Sequence, residues 1–294
     1  MRTDSFTRRA PIALFIYFAG AIVVGAITAH PAFLAAGVTA GAIYYLMLRG
    51  RRGLKTLACV AALFAVISAV NPLFNRAGDT VLFFAFGRPY TLEALIRGAL
   101  SAGAFAHAVI WFGCFNRVMT EDKFTSLFSR AAPSLSTVLV LTLRLVPETF
   151  RRAREIGEAR EGIGKGGGAG LREKLSQGVA SLGALTSYSL EGGVATGDSM
   201  RARGCGTARR TDYNGRRICA SDVLFLALTA ALIGCVAVFF ARGAASTVYE
   251  PRFIASALRG ESAVCFAAYT AYYLIPAVLH IKEEATWTAS KYRI

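Results

Sequence analysis

Six long stretches without a charged residue constrain this chain more than any other feature. A helix that crosses a bilayer needs about 20 mostly apolar residues, with a range of about 17–25. Five stretches reach that length clearly, and the sixth lies at its lower limit. In chain order they are 11–29, 32–48 (the shortest), 56–75, 98–116, 223–241 and 262–281. The pattern predicts an all-α, polytopic integral membrane protein with about six transmembrane helices.

The first stretch follows Arg2, Arg8 and Arg9, as the apolar core of a signal peptide would. It is longer than such a core, and more apolar stretches follow it. We therefore expect residues 11–29 to be a retained transmembrane helix.

The charge distribution predicts how the chain is oriented. The formal net charge is +15, and six helices with a cytoplasmic N-terminus place 27 of the 33 Lys and Arg residues on the inner side. Cytoplasmic loops carry such an excess, so both termini are predicted to be cytoplasmic. The inner segments are 1–10, 49–55, 117–222 and 282–294. Because the charge is spread over all of them and not gathered on one face, it does not indicate nucleic-acid binding.

Three regions follow from this arrangement. Residues 1–116 form an N-terminal transmembrane bundle of about four helices, and residues 223–294 contribute two more. Residues 117–222, between them, are predicted to be helical and cytoplasmic or interfacial. Within this segment, 121–130 has the pattern of a short amphipathic helix.

The inner segment continues with three further helical patterns. Residues 133–147 are apolar but short and contain Arg144, which favours an interfacial or protein-buried helix ending at Pro147. A charged helix over 148–160 follows, and the glycine-rich stretch 162–170 must end it. The next helix runs from Leu171 to about Arg203, and its apolar and small residues predict packing against another helix. Its apolar positions are Leu175, Val179, Leu182, Thr186, Leu190 and Val194.

Both cytoplasmic helices are predicted to end in an arginine just before glycines, at Ala159-Arg160 and at Ala202-Arg203-Gly204. An arginine at a helix C-terminus complements the helix dipole, which is a sufficient structural reason for it. A guanidinium group there also suits docking against carboxylates and carbonyl groups of a partner. The spacing supports the two interpretations equally.

No catalytic pattern accompanies these helices. Lys165 is followed by glycines and not by Ser or Thr, so the P-loop pattern fails, and the six cysteines have no metal-ligand spacing. His107 lies in the middle of a predicted span, where we expect a neutral side chain bonded to a neighbouring helix. The chain is predicted not to be an enzyme and to bind no cofactor or metal of its own. The alternatives are an integral membrane enzyme acting on lipid or isoprenoid phosphates and a permease with its own substrate site.

Three groups of residues resemble the transmembrane T component of energy-coupling factor (ECF) transporters, the ABC-type importers of vitamins and trace metals. The first group is Asn71-Pro72-Leu73-Phe74 with Gly78, Thr80, Leu82, Phe83, Gly87 and Thr91-Leu92-Glu93. The second is Phe115-Asn116 through Lys123, leading to Arg144-Leu145-Val146-Pro147. The third is a pair of Ala-Arg-Gly motifs. One of these is intact at Ala202-Arg203-Gly204, after Met200, and the other reads Ala159-Arg160-Glu161-Gly162. In the latter, either Glu161 replaces the glycine or the glycine is displaced by one residue.

The resemblance implies a scaffold that joins two cytoplasmic ABC ATPase subunits to a membrane S component that binds the substrate. ATP and Mg²⁺ would be handled by the ATPases, in the cytoplasmic membrane of a bacterium or archaeon. Arg160 and Arg203, with Ala159, Ala202 and Gly204, would dock into the ATPases. Arg144, Pro147, Gly162 and Met200 would support that region.

Overall fold

The computed structural model describes residues 6–7, 9–74, 81–85, 88–164, 170–206, 219–243, 247–248, 254–255 and 260–291. Some predictions fall outside these ranges. They concern Gly78, Thr80, Gly87, the interior of the glycine-rich stretch (165–169) and the end of the inner segment (207–218).

The described part of the chain is built almost entirely of helices, so the all-α prediction is confirmed. The helices are α1 Pro11–Ile27, α2 Pro31–Arg49, α3 Arg51–Phe74, α4 Leu92–Val118, α5 Glu121–Ala131, α6 Pro133–Gly162, α7 Leu171–Ala202, α8 Ala220–Ala241 and α9 Glu261–Lys291. Two short antiparallel ribbons, which the sequence patterns did not predict, join helices. They are β1 Val81–Ala85 with β2 Arg88–Thr91, and β3 Thr247–Val248 with β4 Ile254–Ala255.

Five of the described helices, α2, α3, α4, α8 and α9, are long and apolar enough to cross a membrane. The protein is therefore a multi-pass helical membrane protein. The sequence predicted that the first helix is longer than the second. The structure shows the reverse, because α1 has 17 residues and α2 has 19. A proline disfavours helical backbone in the residue before it, so Pro31 keeps His30 extended. His30 Nδ1 then accepts a hydrogen bond from Ala32 N (3.3 Å) and caps α2.

The predicted inner loop 49–55 is almost absent. Gly50 alone separates α2 from α3, and its backbone has φ +58°, a conformation that glycine adopts without steric cost. Its basic neighbours Arg51, Arg52 and Lys55 therefore lie in the first turns of α3.

Helix α4 packs against α1, α2 and α3, while α9 packs against α2 and α8. The centre of this bundle is aromatic, and its polar atoms bind backbone carbonyl groups of neighbouring helices. Tyr17 Oη donates to Tyr272 O (3.0 Å), and Tyr272 Oη donates to Tyr17 O (2.6 Å). This reciprocal pair joins α1 to α9. Buried polar groups need such partners where water is absent.

Helix α6 corrects the prediction of two separate elements, because it continues through Pro147 as a single helix of 30 residues. Proline costs the helix one hydrogen bond, to the carbonyl group four residues earlier. Glu148 supports the helix just beyond this point, through ion pairs with Arg151 (2.9 Å) and Arg152 (3.5 Å). The apolar side chains of the first half are not buried within the chain, since Leu135 and Val138 are each more than half exposed.

The chain forms two compact units. Unit 1 comprises Met1–Lys123 and Arg216–Ile294, and unit 2 comprises Phe124–Gly215. Unit 2 is thus an insertion within the sequence of unit 1 and carries α6 and α7.

Candidate functional site

The second Ala-Arg-Gly motif forms the C-terminal cap of α7. Arg203 is the capping residue, and Gly204 follows with φ +80°. Gly204 N donates to Arg201 O (2.9 Å), and Cys205 N donates to Met200 O (2.9 Å). These two bonds define a Schellman motif, which requires a left-handed residue at the position of Gly204. The Ala-Arg-Gly motif therefore caps α7, in addition to the docking role that was predicted for it.

The first motif is arranged differently. Helix α6 continues through Glu161 and Gly162, and the left-handed residue is Gly164, with φ +77°. Gly164 N donates to Glu161 O (3.0 Å). Counted from the left-handed glycines, Arg160 lies four residues before Gly164, whereas Arg203 directly precedes Gly204. The two arginines therefore occupy different positions relative to their helix ends.

Two other arginines of α6, Arg151 and Arg152, are paired within the helix. Arg151 Nη2 lies 2.9 Å from Glu148 Oε1, and Arg152 Nη1 lies 2.9 Å from Glu155 Oε2. Within the described ranges, neither Arg160 nor Arg203 forms an ion pair. Arg160 is half-buried and Arg203 is exposed. Both guanidinium groups therefore retain donors for a partner outside the chain.

Arg152 also joins α6 to α7. Its guanidinium carbon lies 4.8 Å from the centre of the Tyr188 ring, which is within the range of a cation–π interaction. Tyr188, and then Glu155, raise the pKa of Arg152 above its ordinary value. The contact is therefore charged at every physiological pH. This pair is not predictable from the sequence, because nothing in either helix pattern indicates which residues meet between two helices.

The apolar positions predicted on α7 do not pack against another described helix. Leu175, Val179, Leu182, Leu190 and Val194 are each more than 60% exposed. The glycines of α7 are also open, because a Cβ atom added to any of them would meet nothing within 4 Å. They are Gly178, Gly183, Gly192, Gly193 and Gly197. No described helix covers the face that was expected to pack against another helix, so it is available to a partner.

The remaining predicted residues lie at several levels of the two helices. Arg144 and Pro147 are exposed in the middle of α6, and Gly162 is its last residue. Met200 is half-buried in the last turn of α7, where its carbonyl group accepts the capping bond from Cys205. Arg144 and Pro147 are therefore some four turns from Arg160, since a turn has about 3.6 residues.

His107 is fully buried in the bundle of unit 1, and its Nε2 lies 3.2 Å from Ala21 O on α1. The predicted bond to a neighbouring helix is thus present. Trp111, one turn later, donates from Nε1 to Gly37 O on α2 (3.1 Å). The His107 ring lies against helix backbones because Gly25 and Gly37 have no side chain: a Cβ atom at Gly25 would lie 1.9 Å from His107 Nε2. The Trp111 ring lies against Gly41 in the same way, where a Cβ atom would be 2.7 Å from Trp111 Nε1. The two side chains tie α4 to α1 and α2.

No group of His, Cys, Asp and Glu side chains in the described part of the chain could hold a metal ion. Comparison with known proteins adds no assignment: no family model and no curated protein matches the chain.

Proposed function

We propose that this protein is a T-type coupling subunit of an ATP-driven ECF importer of a vitamin or trace metal. In this role it joins two cytoplasmic ABC ATPase subunits to a membrane S component and passes ATP-driven motion between them. The chain itself catalyses no reaction, and the ATPases hold ATP and Mg²⁺. The proposed location is a bacterial or archaeal cytoplasmic membrane, with both termini in the cytoplasm.

The observation that supports this proposal most is the position of two arginines without a charged partner among the described residues, near the ends of the two long helices of unit 2. Arg151 and Arg152 are engaged within α6, whereas Arg160 and Arg203, near the ends of α6 and α7, have no charged partner in the described chain. Arginine is suited to interfaces because its planar group donates several hydrogen bonds in a fixed geometry. Two long helices, each with such an arginine near its end, match a subunit that binds two similar partners.

The exposed face of α7 supports a second contact, with the S component. Exposed apolar residues such as Leu182 and Val194 lie along it, beside glycines that no described residue packs against. In membranes, small residues at an interface let helices approach closely. We assign this face to a helix of the S component.

The test is co-purification of the chain with candidate ABC ATPase pairs, with dissociation constants measured for single variants. Removing one partner of a buried charge pair at an interface costs about 2–5 kcal/mol. Arg160→Ala and Arg203→Ala should therefore each weaken ATPase binding at least roughly thirtyfold. Arg154→Ala and Arg201→Ala are matched controls, because both residues are exposed arginines on the same two helices.

If the Arg160→Ala and Arg203→Ala variants both bind the ATPases as tightly as the unaltered chain does, the docking roles assigned to these arginines are wrong. The enzyme alternative makes a different prediction: the purified chain alone should show metal-dependent turnover of a lipid or isoprenoid phosphate. Such turnover would favour that alternative over a coupling subunit.

A further inference from the structure

Residues 6, 7, 9 and 10, which we call the N-terminal tie, are packed into unit 1 ahead of the first helix. Phe6 is almost fully buried. Its ring contacts those of Tyr17, Tyr44 and Phe225 edge-on, with centroids 5.6–6.0 Å apart. Such aromatic pairs stabilise a protein by more than their buried area alone would give. The tie is therefore anchored against α1, α2 and α8 at once.

The tie contacts the point where the chain leaves unit 1. Lys123 is the last residue of unit 1 before unit 2 begins. Its Nζ donates to Thr7 O (2.6 Å) in the tie and to Val118 O (3.0 Å) at the end of α4. A single ammonium group thus joins the tie, the end of α4 and the first turn of α5.

The tie also contacts the point where the chain has returned to unit 1. Arg9 Nη1 donates to Ser221 O (3.0 Å) and lies 3.9 Å from Asp222 Oδ1, at the start of α8. The Arg9 guanidinium carbon lies 4.3 Å from the centre of the Phe225 ring.

The carboxylate of Asp222 is only 1% exposed and accepts a further hydrogen bond from Cys219 N (3.3 Å). A buried carboxylate that loses its cationic partner is strongly destabilised, because the burial cost remains without compensation. Arg9 is therefore held firmly at this junction.

One short segment thus contacts unit 1 both just before the insertion begins and just after it ends. Thr7 and Arg9 are two residues apart, so their Cα atoms are at most about 7 Å from each other. We propose that the N-terminal tie is a clamp that fixes the separation between the start of α5 and the start of α8. With this separation fixed, the end of α4 and the start of α8 do not spread apart at this junction. The clamp rests on contacts within unit 1 and does not depend on which partners unit 2 binds.

The test measures this separation directly, by pulsed electron paramagnetic resonance on the full chain in lipid nanodiscs. Nitroxide labels are attached to Glu121→Cys and Ala220→Cys, two exposed positions, after the six native cysteines have been replaced by Ser or Ala. With the tie intact, we expect one narrow distance. In the double variant Arg9→Ala, Lys123→Met, the narrow distance should be lost and longer distances should appear.

Three comparisons keep this test decisive. Arg117→Ala removes an exposed arginine at the same end of α4 and should leave the distance narrow. Arg9→Lys keeps a cation beside Asp222 and should largely preserve it. If the double variant does not fold, Arg9→Met and Lys123→Met are measured singly, and each should broaden the distance.

A distance that stays narrow in every folded variant overturns the clamp. So does a lower unfolding temperature with an unchanged distance, because that result would make the tie a stabilising contact only.

Discussion

The bundle of unit 1 and the helices of unit 2 use glycine in opposite ways. In the bundle, a Cβ atom at Gly25 would collide with His107, and one at Gly37 would lie 2.8 Å from Tyr269 Oη. In α7, a Cβ atom at Gly192 or Gly193 would meet nothing within 4 Å. Glycine inside a helix is unfavourable relative to alanine, so each position needs a reason. For the bundle the reason lies within the chain, whereas for α7 we look for it in a partner.

The largest effect is expected for Gly25→Ala, which would put a methyl group onto the His107 ring. Overpacking of a closed core typically costs 1–3 kcal/mol, occasionally more, and we expect about 3 kcal/mol here. The thermal unfolding of the purified protein in detergent measures the loss. Gly234→Ala is the matched control, because this glycine of α8 has open space around it. Equal unfolding temperatures for the two variants would contradict the statement that the bundle needs glycine at position 25.

A smaller change of opposite sign is expected in α7. Gly192→Ala and Gly193→Ala should each stabilise the isolated chain by about 0.5–1 kcal/mol, because alanine loses less conformational freedom in a helix. The same variants should weaken assembly with the S component, since a methyl group holds a partner helix away. Unfolding temperature and co-purification yield measure the two effects. Stabilisation without any loss of assembly would show that the open glycines of α7 do not contact a partner.

An effect of similar size, but destabilising, is expected at the contact between α6 and α7. Tyr188→Ala removes the ring that faces Arg152 and should cost about 0.5–1 kcal/mol, the usual value for an exposed cation–π contact. Tyr188→Phe keeps the ring and should behave nearly as the unaltered chain does. Hydrogen exchange along α6 and α7 measures the change. If the two variants lose protection equally, the phenol hydroxyl and not the ring face makes the contact.

The helices of the bundle were largely predictable, because a long uncharged stretch has few other structures available to it. The ends of these helices were less predictable, because local interactions determine where a helix begins and ends. Pro31 and the capping side chain of His30 shorten α1, and a left-handed Gly50 removes a loop. Pro147 led to the opposite error, because a helix was predicted to end there. Proline usually ends a helix, but α6 continues through it, and the ion pairs of Glu148 with Arg151 and Arg152 support the turn that follows.

At the candidate site, the sequence pattern predicted arginines near two helix ends but not their positions relative to the helix caps. Residues 162–170 contain several glycines, and the sequence does not indicate which one adopts positive φ. The N-terminal tie escaped prediction for another reason. Arg9 satisfies the charge bias of inner loops without any specific contact, so its pairing with Asp222, more than 200 residues away, left no trace in the pattern.

The reciprocal hydrogen bonds between Tyr17 and Tyr272 have a consequence for biosynthesis. The two residues are 255 positions apart, so α1 waits for α9 before its buried hydroxyl group finds its partner. At about 5–20 residues per second, translation leaves α1 without that partner for roughly 10–50 seconds. During this interval the Tyr17 hydroxyl group lacks its final hydrogen-bond acceptor, so this part of the bundle closes only after α9 has been made.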